Sequence, residues 1–162
     1  MLDTRHKLSD SASLSKKEIK EWIIQGPNLN TVQSANQFGD YIGRRLKKVK
    51  IGKTKSGKDK FVDESVSTSQ IRQVFSKMKM IEAKGGISDP QNRIDFLMIK
   101  PLLAYAVGRH KKTGLDRLKD RLGWAIETVL ESERIPEQEK RFGNFCKLFE
   151  AILAYHRASG GK

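Results

Sequence analysis

Apolar residues recur at i, i+3, i+4 spacing along most of the chain and almost nowhere alternate with polar ones, which predicts an all-α fold, a compact bundle of about five to six helices. Ser15 and Glu18 have the spacing of a capping box, in which each side chain satisfies an orphan backbone N–H. Ile19, Trp22 and Ile23 then form an apolar face before Gly26-Pro27 stops the helix. A second helix is expected from about Thr31 to Lys50, with Ala35, Phe38, Ile42, Leu46 and Val49 inward and its arginines and lysines displaced to the opposite face. A third opens at Ser67 or Thr68 with Gln70 as box partner, buries Ile71, Val74, Phe75, Met78 and Ile81, and ends at Gly85-Gly86. The fourth starts at Asp89-Pro90 and carries Ile94, Leu97, Leu102, Tyr105 and Ala106 inward, with Pro101 expected to kink it. Two more run from Leu115 to Leu130, through Leu118, Leu122, Ala125, Ile126 and Val129, and from about Glu137 to Ser159, through Phe142, Phe145, Cys146, Phe149, Ile152 and Leu153.

Residues 51–66 break this pattern. Two glycines, several lysines and few apolar anchors offer too little surface to offset the entropy of ordering, so the stretch reads as a mobile basic loop ahead of a helical core at 67–160. With 162 residues in all, 37% hydrophobic and 31% charged, the chain suits one globular domain. No apolar run approaches the roughly 18 residues of a membrane span, and the first ten residues do not resemble a signal peptide. A single cysteine allows neither an internal disulfide nor a thiolate zinc site, and favours a reducing, cytoplasmic setting.

Charge changes the picture more than composition does. Thirty-two Lys and Arg against nineteen Asp and Glu give +13, and nine of the twenty residues from Tyr41 to Lys60 are basic. Such an excess points to a polyanionic partner. Arg44, Arg45, Lys47, Lys48 and Lys50 are therefore candidate contacts to a nucleic-acid backbone, neutralising phosphates without reading sequence. Tyr41, Phe61 and Tyr155 are the candidate stacking surfaces.

Catalytic chemistry finds no foothold. Gly52, Gly57 and Lys58 have phosphate-loop spacing, but Asp59 stands where a hydroxyl must reach magnesium, and no strand–helix context surrounds them. His6, His110 and His156 lack the i, i+4 spacing of paired ligands, so neither a metal nor another cofactor is expected. His110 lies in the cationic run Arg109-His110-Lys111-Lys112, while His156 reads as a partner of a helix C-terminal dipole. Cys146, between Phe145 and Phe149, reads as a buried inert thiol. Glu131, Glu133, Glu137 and Glu139 crowd an exposed charged turn. An enzyme is not expected; a small helical nuclease and a free-standing basic RNA or DNA chaperone are the rival readings.

Three runs carry a family likeness: Thr68-Ser69-Gln70-Ile71-Arg72, then Lys100-Pro101-Leu102-Leu103-Ala104-Tyr105-Ala106-Val107-Gly108-Arg109, then Phe145 followed by Phe149-Glu150-Ala151-Ile152-Leu153-Ala154-Tyr155-His156. In order and spacing they resemble the small subunit of the type III-A CRISPR-Cas effector, the Csm complex, over roughly 67–160. The resemblance implies a non-catalytic helical subunit of an antiviral ribonucleoprotein, stacked in several copies along guide RNA and target RNA beside other Csm subunits. It also implies that Arg72 and Arg109, with Lys111 and Lys112 as neighbours, face RNA, and that the apolar motif residues are core. The motifs do not reach the stretch from Arg44 to Lys60, whose assignment to RNA rests on charge alone.

Overall fold

Four of the helices start where a side chain just before them closes open amides, at Ser15, Asn28, Ser67 and Asp89. The computed structural model describes residues 13–161, so the expectations for the first ten residues and for His6 lie outside the described residues. Helix α1 (Lys16–Gln25) opens on the Ser15–Glu18 capping box and stops at Gly26, φ +92°. Helix α2 (Leu29–Gly43) opens on a box that the apolar spacing does not announce, Asn28 with Thr31. After it come a 3-10 turn (Arg45–Lys47) and two antiparallel strands, β1 (Val49–Lys53) and β2 (Asp59–Val62). Helix α3 (Thr68–Ala83) starts on the Ser67–Gln70 box. Then follow α4 (Pro90–Leu97), α5 (Ile99–His110), α6 (Thr113–Leu130) and α7 (Ile135–Ala158).

Three expectations are corrected. The second helix ends at Gly43 rather than Lys50, because the carbonyls that would continue it are taken. Ile42 O accepts from Val66 N at 2.9 Å and Leu46 O from Glu64 N at 2.8 Å. The 51–66 stretch is not a loop throughout: its first part is a hairpin, closed where Gly57 N donates to Thr54 O at 3.0 Å with Gly57 at φ +84°. The rest ties down through buried Glu64 and Val66. Finally, the kinked fourth helix is two helices. The break falls at Met98, which leaves Pro101 in the first turn of α5, where its missing N–H forfeits nothing. This rotates the expected face: Asn92, Phe96, Ile99 and Leu103 point inward, while Ile94, Leu97 and Tyr105 are 54%, 48% and 67% exposed.

The core forms where α2 lies along α7, α1 crosses α6 and α7, and α5 covers α6. Helix α3 bridges α4, α5 and α7. Two glycines set the closest approach. A Cβ on Gly39 would lie 2.6 Å from Tyr155 Cβ and 2.9 Å from the His156 amide nitrogen; one on Gly43 would lie 2.8 Å from Ser159 Oγ. Between α3, α4 and α7 the phenylalanines pack edge to face, Phe96 on Phe145 at 4.9 Å and Phe75 on Phe149 at 5.3 Å between centroids. Phe75 and Leu153 are only partly buried, but both pack against this core. Cys146 is buried as expected, and burial together with the nearby Glu82 carboxylate pushes its thiol pKa up.

His156 is more than a dipole partner: it is fully buried, with Nε2 2.6 Å from Val66 O, so Nε2 carries the proton and donates it. Among the described residues its Nδ1 has no partner. Burial holds the imidazole pKa below the ordinary 6.5, against the pull of the Val66 hydrogen bond and with help from the charges of Lys47 and Arg157. The unfolded chain therefore takes up this proton first as pH falls. The stabilisation is complete above the ordinary value and drains away as pH drops through the folded one. Urea unfolding midpoints measured from about pH 7.5 down to about pH 5.5 should fall for the wild type and fall less for His156→Gln. Equal slopes would assign the acid sensitivity to other groups.

Candidate nucleic-acid interface

A groove runs where the base of the hairpin, the start of α3 and the end of α5 meet. One part is lined by Lys47, Asp63, Ser65, Val66, Ser67, Gln70 and Lys112. Gln70 also lines the adjoining part, with Gln73, Val74, Leu102, Tyr105, Ala106, Arg109 and His110. The two parts thus share the first turn of α3, whose dipole adds positive potential to that of the cations.

Residues of the linker between β2 and α3 hold this region together. Helix α6 has no cap of its own at Lys112, and buried Glu64 supplies one from outside, its Oε2 accepting from Thr113 N at 2.8 Å and Thr113 Oγ1 at 3.0 Å. Gly114 lets the linker come this close, since a Cβ there would lie 2.9 Å from Glu64 O and 2.7 Å from Val66 Cγ2. The ammonium of Lys112 donates to Asp63 O, and that of Lys47 donates to Gly160 O, so both bases are anchored by backbone carbonyls.

The expected cations divide into three groups. Lys47, Arg109 and Lys112 line the groove, and Lys111, exposed in the left-handed conformation at φ +53°, turns the chain beside it. Arg44, Arg45, Lys48 and Lys50 do not form a helical cationic face; they gather on the turn and the first strand. Arg44 is held bidentately by Asp40 at 2.7 and 2.9 Å, and Lys50 pairs with Asp59 at 3.2 Å. Arg45 lies over the Tyr41 ring at 5.8 Å and Lys48 over Phe61 at 4.6 Å. Arg72 is exposed on α3, outside the groove lining. Among the described residues the side chains of Arg72, Arg109 and Lys111 make no hydrogen bond or ion pair, so their full donor capacity faces solvent.

The aromatic expectations are reordered. Tyr41 is fully buried, and Tyr155 packs partly buried against the core. Phe61 is exposed, but under Lys48. The open ring is Tyr105, which the spacing puts in the core. The break at Met98 resets the helical phase, and no local sequence signal announces that break.

A second exposed feature lies further along the same seam between α3 and α5, with Leu102 lining both. Met80, Ile94, Leu97 and Met98 stand half exposed, and Met80, Met98, Ile81 and Leu102 line an apolar groove of about 390 Å³ with Lys77, Lys84 and Asp95 at its edges. A patch of this kind marks a contact surface more often than a solvated one. No group of three or more His, Cys, Asp or Glu that could hold a metal ion occurs among the described residues, and no helix there is long and apolar enough to cross a membrane.

Neither the curated proteins nor the solved structures give a match to this chain. The family model described as Csm2 Type III-A does, over residues 45–162. The match takes in the hairpin, the groove cations and helices α3 to α7, and it begins well upstream of the three motif runs. With most of its length so matched, this chain belongs to the Csm2 Type III-A family, the small subunits of the type III-A Csm complex.

Proposed function

We infer that the protein is a non-catalytic subunit that binds RNA backbone, and that several copies line up along guide RNA and target RNA in the cytoplasmic Csm assembly. The observation that carries this reading is the groove at the end of α5, where Arg109 and Lys111 have no partner among the described residues and sit beside the first turn of α3. Arg72, the anchored pair Lys47 and Lys112, and the hairpin cations from Arg44 to Lys60 extend the same positive field over neighbouring surface. Contacts of this sort fix position and affinity without reading bases, so sequence choice falls to guide pairing. The apolar face around Met80 and Met98 supplies area for packing against further subunits.

A salt titration tests the RNA contact. Single-stranded RNA should bind weakly and without regard to sequence, and the Arg109→Ala/Lys111→Ala double variant should flatten the plot of log K against log salt by about 0.7 for each phosphate no longer neutralised. An unchanged slope removes these residues from the interface. Tight binding by the isolated protein that distinguishes one RNA from another would instead favour a free-standing RNA-binding protein.

A further inference from the structure

Tyr105 and Arg109 are one helical turn apart on α5, and the cleft they line is faced across the gap by Gln70 and Gln73 of α3, with Val74, Leu102 and Ala106 as its floor. Each part has a different chemistry. Tyr105 is 67% exposed, though it lies between partly buried Ala106 and Leu102 in the helix. A large, flat, amphipathic surface left open in this way has given up burial that its neighbours obtained. Gln73 offers an amide donor and acceptor, the pattern that pairs with the edge of a base, and Gln70, whose Oε1 accepts from Ser67 N at 2.9 Å in the capping box, adds its Nε2 donors. Arg109, one helical turn from the ring, offers a guanidinium that has no partner among the described residues and suits a phosphate.

The geometry points to a nucleobase-binding cleft: Tyr105 stacks one unpaired base, Gln70 and Gln73 meet its edge, and Arg109 holds its phosphate. This rests on the RNA-binding reading and deepens it, because backbone contacts alone do not separate single strands from duplexes, whereas a stacking ring reaches only bases that are free of their own stack. A protein partner is the weaker occupant here. Its expected seat is the methionine-lined groove that adjoins the cleft at Leu102, where the lining is apolar, while the cleft itself combines amides and a cation around one aromatic ring.

The test uses the full chain with an unlabelled twelve-nucleotide oligouridylate, alone and annealed to its complement, with circular dichroism and sedimentation run on every variant. Tyr105→Ala should weaken single-strand binding roughly 5- to 150-fold, the range that one base stack is worth, with the salt slope unchanged and duplex binding unaltered. Tyr105→Phe should retain single-strand binding, since the ring and not the hydroxyl stacks. Arg109→Ala should weaken both RNAs and flatten the slope. If Arg109→Ala has its effect and Tyr105→Ala has none, the base cleft is overturned and the backbone reading stands. If neither variant changes binding, both are overturned. If Tyr105→Ala abolishes self-association and leaves RNA affinity intact, the ring is a protein contact and the cleft is again overturned.

Discussion

Phe149→Ala should unfold more readily than the wild type by about 3–5 kcal/mol, the cost of removing a fully buried ring and leaving the space empty. The ring touches Phe75 edge-on at 5.3 Å and Phe145 edge-on at 6.2 Å, so two aromatic pairings go with it. These neighbours sit on α3 and α7, whose helical frames limit how far the cavity can collapse. Urea unfolding reads the loss as a lower midpoint at similar slope. A folded variant of normal stability that has lost RNA binding would show that Phe149 belongs to a binding surface and not to the core.

Gly39→Leu should be as damaging by the opposite route. The new Cβ falls 2.6 Å from Tyr155 Cβ and 2.9 Å from the His156 amide, and the second of these is backbone that cannot rotate away. Helices α2 and α7, the most extensive helix pair in the fold, must then separate along their length. Over-packing usually costs about 1–3 kcal/mol, and a clash against backbone at a helix crossing belongs at or above the upper end. Gly143 is the internal control. It lies on the exposed side of α7 with nothing within 4 Å of an added Cβ, so Gly143→Ala should stabilise by about 1 kcal/mol through helix propensity alone. If Gly39→Leu unfolds at the wild-type midpoint, the close crossing of α2 and α7 is wrong.

Much of this architecture is legible in the sequence because local signals agree with the global packing. Capping boxes at Ser15 and Ser67, the proline after Asp89 and the glycines at 26 and 85–86 bound their helices as expected. The apolar stripes of α6 and α7 are core. The hairpin is hidden for a physical reason. Only Val49 of β1 is buried and β2 has no buried residue, so the ribbon lacks the one-sided burial that writes a period of two into a sequence. The early end of α2 is equally hidden, since the amides that take its carbonyls come from Glu64 and Val66. Tyr105 is misplaced when helical phase is counted through Met98 as though α4 and α5 were continuous. The groove can be read only in pieces. Charge and motif single out Arg109 and Lys112, yet nothing local to either indicates that Gln70 and Lys47 stand beside them.

The glycine crossing also orders events at the ribosome. Gly39 meets its partner at Tyr155, so α2 emerges early and then waits, its apolar face uncovered, while nearly the whole of the rest of the chain is made. The α3–α4–α5 segment can assemble on neighbours close in sequence, but the long pairing that closes the core comes last. In the cell, yield would then depend on what shields α2 from other nascent chains during that interval.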